Sequence, residues 1–118
     1  MITIVIVSAA APLFSSVLRD LRTKEREPVK LTCKVISSSL PTIQWSKGEV
    51  KIDKSEKYRM SYRAGICMLE IPVPEVMDTG MYTCTATNSN GTESCSAKIT
   101  VIGISFSPGF HKMYDVTL

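Results

Sequence analysis

The chain has 118 residues, 44% of them hydrophobic and 21% charged, with a formal net charge of +3. This balance describes one globular domain with a core of its own and excludes a disordered chain. So small a charge implies neither a nucleic-acid nor a membrane partner. Four cysteines are too few for a disulfide-stapled scaffold.

Residues 1–11, MITIVIVSAAA, are apolar and uncharged. They read either as a short secretory leader closing on Ala9-x-Ala11 or as the upstream stub of a longer protein. No Lys or Arg precedes the run, and it is too short to span a bilayer as a helix. Pro12–Leu18 reads as a first strand and its continuation, and Arg19–Glu27 as a charged connection. The turn at Arg26-Glu27-Pro28 has no glycine, so it is expected to avoid a positive φ. Val29–Ile36 alternates, with Val29, Leu31, Cys33 and Val35 on one face and Lys30, Thr32 and Lys34 on the other, which is a half-buried strand. Ile43 and Trp45 point inward on the next strand. Ser46-Lys47-Gly48-Glu49 turns the chain into a short strand bearing Val50 and Ile52. Tyr58–Tyr62 is a further strand, turned by Arg63-Ala64-Gly65 into one whose inward residues are Cys67, Leu69 and Ile71. After the crossing Pro72–Met77 a strand runs from Met81 to Thr87. Asn88-Ser89-Asn90-Gly91 is a hairpin signal, because Asn-Gly suits positive φ. Cys95, Ala97, Ile99 and Val101 then alternate inward. Residues 103–118, with Pro108-Gly109, lack periodicity and are expected to be an unpacked tail or the start of a linker.

The most informative stretch is Asp78-Thr79-Gly80-Met81-Tyr82-Thr83-Cys84, which reads D-x-G-x-Y-x-C. Tyr82 and Cys84 are two apart and share a strand face, while Asp78 and Gly80 suit the corner that leads into it. A Tyr two residues before a Cys at the start of a strand, with an earlier Cys33 and an intervening Trp45, is the arrangement of a tyrosine corner over a sandwich core. On these residues the segment 12–102 resembles an immunoglobulin-like domain of the I-set type. Pro12, Phe14 and Leu18, and the N-x-x-G turn ending at Gly91, are similar to that family's opening strand and last hairpin. The match covers most of the chain and speaks to fold more than to function.

The resemblance implies an all-β sandwich of two antiparallel sheets, ordered A-B-E-D and A′-G-F-C. It implies that Cys33 and Cys84 face each other in the core, bridged outside the cell or kept as thiols in the reducing cytosol, with Trp45 packed against them. Leu69 joins this core. Asp78 is expected to pair with Lys57 or Arg59. Cys67 and Cys95 are expected to approach one another between the sheets, as a second bridge or as buried thiols. Asn90-Gly91-Thr92 is a glycosylation sequon that matters if the chain is secreted. Pro74 stands where relatives carry an aliphatic residue.

Lys51, Lys54, Lys57, Arg59 and Arg63 are interspersed with Asp53 and Glu56 and read as a solvated face. Catalysis finds no support. The one histidine, His111, lies in the tail, and phosphate-binding glycine loops and C-x-x-C pairs are absent. No cofactor and no metal are expected. The expectation is a non-enzymatic interaction or spacer module, part of a larger cytoplasmic protein of muscle or the cytoskeleton. Its protein partner would bind through sheet faces, edge strands or loops. The alternative is a secreted or cell-surface adhesion or receptor domain.

Overall fold

The computed structural model describes residues 10–104. Most of the apolar leader and the tail from 105 onward, with Pro108-Gly109 and His111, lie outside the described residues. Nine strands form two sheets: β1 Leu13–Ser16, β2 Leu21–Lys24, β3 Val29–Ile36, β4 Thr42–Lys47, β5 Val50–Ile52, β6 Arg59–Arg63, β7 Ile66–Ile71, β8 Gly80–Asn88 and β9 Gly91–Ile102. One sheet has the order β1-β3-β7-β6 and the other β2-β9-β8-β4-β5. This is the expected sandwich, with β5 added as the outer strand of the second sheet. All pairings are antiparallel except that of β2, which runs parallel to β9.

Alternation makes the core. In β3 buried and exposed residues alternate without a break, and β7 buries Cys67, Leu69 and Ile71. From the facing sheet come Trp45, Tyr82, Cys84, Ala86, Ala97, Ile99 and Val101. Each large side chain buried this way contributes about 1.5–3 kcal/mol. Pro74, despite its cyclic side chain, is also fully buried.

Two expectations are corrected. The continuation of the first strand was placed within Pro12–Leu18, with Arg19–Glu27 a connection. The structure instead puts that second strand, β2, inside the charged stretch. A register irregularity between Phe14 and Ser16 bends β1 away from β3. Buried Leu18 then plugs the crossing between sheets. The Asp20 carboxylate accepts from Lys98 N at 2.8 Å just before the ladder of Leu21 to Ile99 begins. As an edge strand β2 buries little and shows no alternation, so periodicity could not find it. The second correction concerns Arg26, whose φ is +69°. Its N–H donates to Pro74 O at 2.9 Å and Glu27 N to Lys24 O at 3.1 Å. Those two bonds hold a non-glycine residue in the left-handed region, at about 1–3 kcal/mol.

The other turns follow their residues. Gly65 has φ +82°, and a Cβ there would meet Val35 O at 2.9 Å. Its own carbonyl accepts from Val35 N at 2.8 Å, so only glycine fits. In the last hairpin the positive φ falls on Gly91, while Asn90 is not in the left-handed region.

Candidate functional site

Three places in the molecule concentrate polar or reactive groups: the corner before β8, the centre of the core, and the outer rim of the second sheet.

At the corner, Val76–Asp78 makes one turn of 3-10 helix between sheets. The Tyr82 hydroxyl donates to Asp78 O at 2.6 Å, which is the tyrosine corner read from the sequence. The Asp78 side chain is buried and accepts from Glu75 N at 2.7 Å and from Lys57 Nζ at 2.8 Å. Lys57, rather than Arg59, is thus the base expected for Asp78. Glu75 lies 3.4 Å from the same ammonium. Burial works against the charge on Lys57, but the Asp78 hydrogen bond and charge outweigh it, so its pKa is raised. Burial, followed by the neighbouring Tyr58 and Asp78, pushes the Tyr82 phenol well up. Every polar group here is spent within the chain, so the cluster fastens the fold and performs no chemistry.

In the core, β3 and β7 place Cys33 opposite Cys67, and β8 and β9 place Cys84 opposite Cys95. Trp45 is the neighbour of Cys84 on β4 and is buried. The Sγ atoms of Cys33, Cys67 and Cys84 all lie within 4.8 Å of one another. Cys95 stands outside that group and is half-buried. All four are free thiols. The close Cys67 and Cys84 thiols, with burial, push the Cys33 thiol up. The place of Cys67 beside Cys33 was missed, because parity predicts which face a residue takes but not its register against a strand far away in the chain.

The outer face of the second sheet carries rows of small hydroxyls. Thr83 bonds Ser96 at 2.7 Å, Thr85 bonds Ser94 at 2.9 Å and Thr87 bonds Thr92 at 3.1 Å. The rows continue onto β4 as Ser46, Gln44 and Thr42. The sequence shows the alternating Thr and Ser, but only the β8–β9 register makes pairs of them. At the rim, beside the free edge of β5, a groove of about 580 Å3 is lined by Val50, Ile52, Tyr58 and Met81 between Lys47 and Lys51. Lys47 Nζ donates to Met77 O at 2.6 Å, so its stem forms a wall. Lys51 lies 3.8 Å from Asp53 on the surface, a contact that contributes little. Asn88 ties the entering chain to the hairpin through Ala10 O at 2.8 Å and Ser37 Oγ at 3.0 Å. Asn90, the sequon residue, is exposed at the turn.

No described helix is long and apolar enough to cross a membrane.

Comparison with known proteins agrees with this geometry. The chain is 34% identical over 92 residues to smooth-muscle myosin light chain kinase of Gallus gallus, a match covering 78% of this chain and 5% of that protein. It is 37% identical over 91 residues to myosin-binding protein H-like of Mus musculus, covering 77% of this chain and 26% of that protein. The chain therefore spans only a small part of these relatives. Among solved structures, a titin M10–obscurin-like 1 Ig complex superposes with a TM-score of 0.79 at 25% identity, over 82% of this chain and 98% of that one. The immunoglobulin I-set domain matches residues 12–101, and on the tyrosine corner, the Cys33–Trp45–Cys84 core and the two-sheet order this chain belongs to the immunoglobulin I-set family.

Proposed function

We propose that the chain is a non-enzymatic interaction and spacer module of a larger cytoplasmic protein of muscle or the cytoskeleton. The observation that carries this reading is its identity of 34–37% to segments of myosin-associated proteins. A relative's kinase activity belongs to other parts of that relative, since the match covers 5% of it. The described surface suits docking. The short β5 edge leaves backbone groups for an added strand, and the apolar groove beside it receives a side chain. The titin M10–obscurin-like 1 complex joins modules of this fold in a neighbouring case.

The second reading, an adhesion or receptor domain outside the cell, is favoured by exposed Asn90 in its sequon. The intact mass of the chain from its own cells, with thiols alkylated after denaturation, separates the two. Four alkylated cysteines without a glycan support the cytoplasmic module. An oxidised Cys33–Cys84 pair, loss of residues before Pro12 and sugar on Asn90 would overturn it.

A further inference from the structure

Three thiols meet at the centre of the sandwich, which is one more than a single disulfide would use. Cys33 and Cys67 come from one sheet, on β3 and β7, and Cys84 comes from β8 of the other. Each is at most 1% exposed. Their sulfurs lie within 4.8 Å of one another. Bonds from thiolates to a bound soft centre are about 2.3 Å long. Three sulfurs around one such centre therefore sit about 4 Å apart or closer, so the cluster needs only a small contraction to close on it.

Charge decides which centre fits. Three thiolates around a monovalent cation would leave two net negative charges in the core, and around a divalent cation one. The only charged side chain buried among the described residues is Asp78, itself negative, and the cluster's neighbours are apolar. An uncompensated charge there costs several kcal/mol. A trivalent centre with three thiolates is neutral and requires no fourth ligand. We infer that Cys33, Cys67 and Cys84 form a binding site for a trivalent thiophilic metalloid, with arsenic(III) as its defining ligand. Arsenous acid exchanges three As–O bonds for three As–S bonds. The three thiol protons leave with the three hydroxyls as water, and arsenic stays in the trivalent state, so no oxidant or reductant takes part. The thiols react in their protonated resting form because each proton departs with its hydroxyl. Once bound, the centre ties β3, β7 and β8 together and clamps one sheet to the other. Cys95, outside the group, takes no part.

The site is sealed, so loading requires the sheets to open. The test refolds the full reduced chain with arsenite and then removes the free arsenite. Native mass spectrometry is expected to show one arsenic less three protons per chain. X-ray absorption at the arsenic edge should show three sulfur neighbours, and thermal unfolding should move to higher temperature. Cys95→Ser should load like the parent. Cys67→Ala, checked for folding by circular dichroism, should lose the three-sulfur shell. A folded parent that retains no arsenic, a shell of two sulfurs in the parent, or loss of loading in Cys95→Ser would overturn the assignment. Each of these is read on chains that keep Cys33, Cys67 and Cys84, so the inference remains falsifiable even if Cys67→Ala does not fold.

Discussion

Tyr82→Phe isolates one atom of the fold. The ring is fully buried and its hydroxyl donates to Asp78 O at 2.6 Å. The substitution keeps the ring and removes the donor. A typical hydrogen bond contributes about 0.5–1.5 kcal/mol net, and a buried acceptor left unpaired costs about 1–3 kcal/mol. The expected loss is therefore about 1.5–3 kcal/mol, or a fall of about 6–20 °C in the unfolding midpoint for a domain of this size. Urea unfolding followed by Trp45 fluorescence measures it, with the midpoint falling and the slope unchanged. The phenol also makes a second, independent prediction. Its pKa is raised in the fold, so the folded state holds the proton when the unfolded state, near its ordinary value of about 10, has released it. That contribution is fully present below about pH 10 and is lost as the pH rises toward the folded pKa. The parent should thus lose stability in alkali more steeply than Tyr82→Phe. A loss under about 0.5 kcal/mol, or equal alkaline slopes in the two proteins, would refute the reasoning.

Lys57→Met should destabilise by about 1–3 kcal/mol by urea unfolding. It strands the buried Asp78 carboxylate, and the figure lies below that of a fully buried pair because Lys57 is 34% exposed. The Lys57 pKa is raised, so its contribution holds below about pH 10.4 and fades as the pH climbs through the folded value. Parent and variant should converge in strong alkali. Arg26→Gly should stabilise by about 0.5–1 kcal/mol at neutral pH, because glycine takes a φ of +69° without a Cβ clash. A loss of stability on that substitution would mean that the Arg26 side chain contributes more than its backbone strain.

The sequence by itself determined the core. The alternation of β3, β7, β8 and β9 named Val29, Leu31, Cys33, Val35, Leu69, Ile71, Cys84, Ile99 and Val101 as inward, and all are buried. It did so because a strand has period two and one face of each strand meets the other sheet. D-x-G-x-Y-x-C carried the tyrosine corner for a similar reason, as its hydroxyl bond spans four residues and is local. What the tertiary structure alone decided lies at the edges and in the register. The strand β2 hid in a charged connection because an edge strand buries little and leaves no pattern. The positive φ of Arg26 hid because the bonds that impose it reach as far as Pro74 in the E–F crossing. The meeting of Cys67 with Cys33 and Cys84 could not be read from parity, since parity assigns a face and not a partner. Only the pairing of β3 with β7 and the packing of β8 across the core bring those three sulfurs to one point.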